Sequence, residues 1–368
     1  MKDRSEAEKK FKEYELLKFY EEKKELMKHP KLVHLMWEVT TRCNARCEHC
    51  TSSCDNHNQV DEVDIKYVKK ALAEIAEAYD PSKIFFVATG GEPLLRTGLF
   101  EVVDYAHSLG FRWGMSTNGS LLTKSMVKKL KEHHLESVNI SIDGLKDTHE
   151  AFRKLPGFWD KIWEGVRMLQ EEPAIPIIQV TTVANKKNIN ELEDIYQFLL
   201  KKNIQLWRVL SVDDNGRAST NREILLDGKD YDYLFDFIEK KNAEKKMKQV
   251  TYGCSNYLGF NYESRVRGGN FICMPGLVIA AILSDGNIFV CPNVSKRPEL
   301  MQGNIMKDNF VDVWENRFQY FRDENRMANP KCLACYHWKY CLGGSLHTWN
   351  FDTHEQEFCM KEKLSNFE

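Results

Sequence analysis

The sequence predicts an α/β fold, and three observations carry that expectation. Short apolar runs recur along the first 250 residues, longer helix-compatible segments separate them, and beyond that point glycine, asparagine and cysteine become frequent. Strands that alternate with helices read as parallel βα units. Six units fall short of the eight that close a complete barrel, so a six-stranded partial (β/α)6 TIM-like barrel or an open sheet is implied. A small cysteine-rich domain of β-hairpin and helix should follow it. In such folds ligand chemistry belongs at the carboxyl ends of the strands.

Taken in order, residues 1–30 are dense in Lys and Glu and contain no Gly. Phe11, Tyr14, Leu17, Tyr20 and Met27 form a loosely helical stripe that Pro30 ends, which predicts a solvated helix resting one face on the body. Strands are expected at 32–39, 84–88, 111–115, 138–142, 177–183 and 204–210. The helical segments between them are 64–79, 97–109, 123–133, 158–171 and 188–201, with one more at 230–246. Residues 284–287, Ser-Asp-Gly-Asn, suit a hairpin turn. The expected organisation is a charged helix at 1–30, a barrel at 31–250 and a C-terminal domain at 251–368.

Composition narrows the function classes. The chain has 368 residues, 42% apolar and 29% charged, which is globular rather than disordered. Lys plus Arg number 52 and Asp plus Glu 54, a net charge of -2. That balance offers no footprint for nucleic acid or an anionic membrane. The longest apolar run, 277–283, is too short to span a bilayer, and the opening MKDRSEAEKK carries no apolar signal core. Eleven cysteines, an odd number, exclude a fully paired disulfide framework. A cytoplasmic chain keeps its thiols reduced, so so many of them suggest metal ligands or redox chemistry.

Cys43, Cys47 and Cys50 follow the first strand as C-x3-C-x2-C and can converge on one centre. A closed zinc site would need a fourth ligand, for which Cys54 is near. A cubane iron–sulfur cluster on three thiolates instead leaves one iron open. With this loop the chain resembles the radical S-adenosylmethionine (SAM) enzymes, which carry the motif after strand one of a six-stranded partial barrel. The resemblance implies a [4Fe-4S] cluster at Cys43, Cys47 and Cys50 whose open iron chelates the methionine part of SAM. His49 stands where the family usually has an aromatic residue. Gly90, Gly91, Glu92 and Pro93 match the family's methionine-amino-binding motif. Two glycines admit close backbone approach, and the exposed carbonyls with Glu92 suit an ammonium. Ser116, Asn118 and Ser141 at the ends of strands three and four are implied cofactor contacts. Arg153 is a candidate clamp for the cofactor's carboxylate.

The C-terminal stretch holds Cys254, Cys273, Cys291, Cys332, Cys335, Cys341 and Cys359. It resembles the SPASM extension, the auxiliary iron–sulfur domain of many peptide-modifying radical enzymes. That resemblance implies two auxiliary [4Fe-4S] clusters. Cys332, Cys335, Cys341 and Cys359 would complete one of them. The other would draw on Cys254, Cys273, Cys291 and a further cysteine, in whose place this chain has Ser345. A hydroxyl is a poor iron ligand beside thiolate, so an open or unusually ligated iron is expected there. Zinc ligation by all seven, or a free Cys254 without its cluster, are the competing readings. Cys54 falls outside both schemes, as an inert buried thiol or a hydrogen-atom donor.

The resemblance implies reductive cleavage of SAM to a 5′-deoxyadenosyl radical, which removes hydrogen from unactivated carbon. A peptide or protein side chain is the expected substrate, oxidised by crosslinking, thioether formation or dehydrogenation. It would dock with a separate leader-binding partner, and a flavodoxin- or ferredoxin-type protein would supply electrons. The alternatives are a small-molecule oxidoreductase acting on an alcohol or tetrapyrrole, and a non-catalytic iron–sulfur or zinc scaffold. Asp213, Asp214 and Arg217, after strand six, are candidate substrate contacts.

Overall fold

In the computed structural model, which describes residues 6–55, 62–253 and 256–367, the βα units build one open sheet. The strands are β1 (His34–Thr40), β2 (Phe85–Gly90), β3 (Arg112–Thr117), β4 (Leu135–Ser141), β5 (Ile177–Ala184) and β6 (Leu206–Ser211). All six are parallel and pair in sequence order. The sheet also continues past both ends of this run. β7 (Gln249–Tyr252) joins β6, and β8 (Ile279–Ile282), from the C-terminal stretch, pairs in parallel with β1. β9 (Asn287–Phe289) and β10 (Gly303–Asn304) complete the order β10-β9-β8-β1-β2-β3-β4-β5-β6-β7. The hairpin at 284–287 forms as expected, with Gly286 N–H donating to Leu283 O and Leu283 N–H to Asn287 O.

The helices follow from spacing and caps. In α2 (Ile65–Ala78), Val68, Ala71, Leu72 and Ile75 recur at helical intervals and are the buried face, while Asp64 caps the first turn by accepting from Lys66 N. α3 (Leu99–Ser108), α4 (Lys124–Glu132), α5 (Lys146–Arg153), α6 (Trp159–Gln170) and α7 (Leu192–Lys201) link the strands. α8 (Gly228–Glu244) starts with a reciprocal capping box between Asp227 and Asp230. The buried face of α7, Leu192, Ile195, Tyr196 and Leu199, lies in the same core as Val180 and Trp207.

The first helix departs from its expected phase. α1 (Glu6–Lys28) exposes Phe11 at 64% and Tyr14 at 67%, while Lys12, Leu16, Lys23 and Met27 are buried. The buried set lies about one residue away from the aromatic stripe. Lysine stems are apolar, and here the ammonium groups find oxygens: Lys12 Nζ reaches Ser264, and Lys23 Nζ donates to Tyr340 O at 2.6 Å.

Candidate active site at the carboxyl ends of the strands

A bulge at Glu38–Thr40 ends the register of β1 against β2, just where the cysteine loop departs. The loop is then tied down on several sides. Cys43 N donates to Asp55 O (3.1 Å), Arg46 N to Arg153 O (3.1 Å) and Glu48 N to Phe152 O (3.0 Å). Arg217, beyond β6, donates from Nε to Cys47 O (2.7 Å) and from Nη2 to Cys54 O (2.9 Å). Gly216 lies so close that a methyl there would sit 2.3 Å from Cys50 O. Arg217, expected to touch substrate, therefore braces the cysteine loop.

Cys43, Cys47, Cys50 and Cys54 open onto one cavity of about 340 Å³. Gly90, Gly91, Ser116, Asn118, Ser141 and Arg153 line it too, so the structure brings together most of the motif residues singled out in the sequence. Asn118 Nδ2 donates to Asn44 Oδ1 (2.8 Å) and approaches Cys43 Sγ (3.8 Å), which joins the third strand's loop to the cysteine loop. Glu92 and Pro93 lie behind this wall. The Glu92 carboxylate is fully buried and accepts from Thr117 Oγ1 (2.8 Å), Asn118 N (2.9 Å) and Leu94 N (3.3 Å). Burial raises its pKa against the pull of those donors.

Arg153 is buried as well. Its Nε stands 2.7 Å from Asp143 Oδ2 and its Nη1 3.7 Å from Cys47 Sγ. Burial pushes the Asp143 carboxyl up, but Arg153, His49 and the Val183 N–H outweigh it and hold the group below its ordinary range. His49 stacks on Phe152 with ring centroids 4.9 Å apart, and burial lowers its pKa to about 4.

The same cavity is also lined from β6, the turn after it and the C-terminal stretch: Arg208, Ser211, Asp213, Asn293 and His347. His347 Nε2 lies 3.2 Å from Asp213 Oδ2, whereas Asp214 turns away to Arg222. Sequence reasoning missed Arg208 and His347, because nothing in their local pattern marks them. The His347–Asp213 contact joins segments far apart in the chain.

Cys332, Cys335, Cys341 and Cys359 line a second cavity, of about 520 Å³. Cys273 and Cys291 are buried elsewhere in the C-terminal stretch, and Leu346 N donates to Cys273 Sγ at 3.4 Å. Ser345, its neighbour, is fully buried, and its Oγ has no hydrogen-bond partner among the described residues. Cys254 lies outside the described residues.

Burial pushes the Cys47, Cys291 and Cys341 thiols up to about 12, so thiolates at these places need a cationic centre to neutralise them. Among the described residues no three ligating side chains converge on a single ion. Cys43, Cys47 and Cys50 line one cavity and Cys332, Cys335, Cys341 and Cys359 another, an arrangement that suits a cluster of several irons in each.

Comparison with known proteins agrees. A family model described as the Radical SAM superfamily matches residues 37–199, and one described as an iron-sulfur cluster-binding domain, SPASM, matches 273–336. The chain is 26% identical over 334 residues to an AdoMet-dependent heme synthase of Methanosarcina barkeri, covering 85% of this chain and 90% of the relative. It is 27% identical over 320 residues to the mycofactocin maturase MftC of Mycobacterium tuberculosis, covering 85% and 78%. Among solved structures, Streptococcus suis SuiB bound to S-adenosylmethionine matches with TM-score 0.67 at 16% identity, over 85% of this chain and 73% of that one. The anSMEcpe enzyme with bound AdoMet and a peptide matches at 0.66 and 18%, over 86% and 89%. These last two establish the fold. The cysteine loop at the head of a parallel sheet thus lies in a radical SAM domain, residues 37–199. Residues 273–336, more particularly, match a SPASM iron–sulfur domain.

Proposed function

We propose that this chain is a SAM-dependent radical oxidoreductase, with a cluster on Cys43, Cys47 and Cys50 and SAM held by Gly90, Gly91, Ser116, Asn118, Ser141 and Arg153. One observation carries the reading: these residues share a single cavity, which Asn293 and His347 from the C-terminal stretch also line. When bound, cluster and SAM supply a carbon-centred radical that removes hydrogen from unactivated carbon. The chain's own residues bind and orient. Gly90 and Gly91 let a ligand lie against backbone, Asn118 and Arg153 hold positions beside Cys43 and Cys47, and Arg217 keeps the cysteine loop in place.

For the substrate we favour a tetrapyrrole carboxylate over a peptide. The match covers more of the heme synthase relative's length than of the maturase's, and Arg208 in the cavity lining suits a carboxylate group. The mycofactocin maturase supports the peptide reading. The auxiliary cysteines would hold two further clusters that take up the substrate's electron, in a cytoplasmic protein fed by a flavodoxin- or ferredoxin-type donor. Among the described residues no helix is long and apolar enough to cross a membrane.

The test is anaerobic turnover of the reconstituted, dithionite-reduced protein. The expected product is 5′-deoxyadenosine, abolished by Cys47→Ala; formation that survives this substitution refutes the assignment. Fe-coproporphyrin III and a candidate precursor peptide are then compared as substrates by mass change. Modification of the peptide alone would reverse our choice between them.

A further inference from the structure

Each cysteine set has a buried cation beside it. Arg153 stands against Cys47, the buried guanidinium of Arg326 against Cys273, and Lys23 against the Tyr340–Cys341 turn. The first two come from the domains that carry the cysteines. Lys23 comes from α1, at the other end of the chain, and is only 3% exposed. Its ammonium donates to the Tyr340 carbonyl at 2.6 Å, at the last turn of the short helix Trp338–Cys341. Further interactions anchor α1 to the C-terminal stretch: Tyr20 donates to Glu324 Oε2 (3.2 Å), and Tyr336 donates to Glu13.

A buried ammonium is expensive to desolvate. A packing helix that needed only an apolar face would carry Leu or Met here, as α1 does at Leu16 and Met27. A four-thiolate cluster, in contrast, is anionic, gains negative charge on reduction, and has its potential set by nearby charge, hydrogen bonding and burial. A fixed positive charge in a dry site favours the reduced state.

We propose that Lys23 of the N-terminal helix is a positioning residue for the distal cluster, raising its reduction potential through the Tyr340–Cys341 turn so that it accepts an electron. This rests on the reading that Cys332, Cys335, Cys341 and Cys359 hold a cluster. The N-terminal helix is thereby part of the electron path's electrostatics.

The experiment is a redox titration followed by electron paramagnetic resonance. It uses full-length protein carrying Cys43→Ala, Cys47→Ala and Cys50→Ala, which removes the first cluster's signal. The signal that disappears on adding Cys335→Ala is the distal one; if none disappears, the cluster reading itself fails, whatever Lys23 does. With the signal identified, Lys23→Met should shift its midpoint to more negative potential while Lys23→Arg keeps the midpoint near wild type. If Lys23→Met instead loses the distal iron, Lys23→Arg should retain it with that midpoint. An unchanged midpoint in Lys23→Met, or Lys23→Arg behaving like Lys23→Met in either readout, overturns the proposal.

Discussion

Replacing Asp143 by alanine should be among the most damaging single changes in the barrel. The Asp143 carboxylate is fully buried, stands 2.7 Å from the Arg153 guanidinium and accepts the Val183 N–H at 2.7 Å. Removing one partner of a buried ion pair costs about 3–5 kcal/mol, because the other charge stays in a site without solvent. For a cooperative unit of 368 residues, about 4 kcal/mol corresponds to a fall in melting temperature of roughly 5 °C. The assay is thermal unfolding of the reduced, iron-free chain followed by circular dichroism, so that cluster loss does not mask the packing term. A cycle with Arg153→Met separates the causes. The double variant should melt above Asp143→Ala, since it leaves no uncompensated guanidinium. A melting point for Asp143→Ala within about 2 °C of wild type, or a double variant no better than that single one, would refute the reasoning.

Three further outcomes are expected. Gly91→Ala puts a methyl 2.0 Å from Arg42 O, a backbone atom that cannot swing aside. The overpacking costs about 1–3 kcal/mol and displaces the cavity wall, so SAM affinity measured by calorimetry should fall about tenfold or more; unchanged affinity and melting would count against that wall as the binding surface. Ser345→Cys should slow the loss of auxiliary-cluster iron to a chelator, because it adds a thiolate beside Cys273, and an unaltered rate would remove Ser345 from that site. Burial raises the Glu62 pKa, but hydrogen bonds from Thr40, Arg42 and Arg96 outweigh it, and the net shift is downward. The stabilisation from a lowered carboxyl is complete above its unfolded pKa and fades as pH falls through the folded one. Glu62→Gln should therefore lower the melting temperature at pH 7, with the gap to wild type closing in acid; a gap independent of pH would contradict this.

Local pattern made much of the site legible before any fold was known. The spacing of Cys43, Cys47 and Cys50, the Gly90–Gly91 pair and the polar residues after strands three and four are contiguous signals, and strand alternation places them all at one end of a sheet. What local pattern leaves out is contact between distant segments. Arg217 lines the cavity and at the same time donates to the carbonyls of Cys47 and Cys54. Glu92 belongs to a recognisable motif, and its oxygens accept from Thr117, Asn118 and Leu94. Lys23 looks like one more charge on a solvated helix.

The sequence by itself determined the class of chemistry, because thiolate spacing and strand–helix period are properties of neighbouring residues. It also showed Ser345 as a departure from the cysteine pattern the C-terminal stretch resembles. Only the tertiary structure decided which face of α1 is buried, that β8 extends the sheet beside β1, and that His347 and Asp213 meet in the cavity lining. Each of these depends on which surfaces exclude water together, a quantity summed over segments hundreds of residues apart, and no local window contains it.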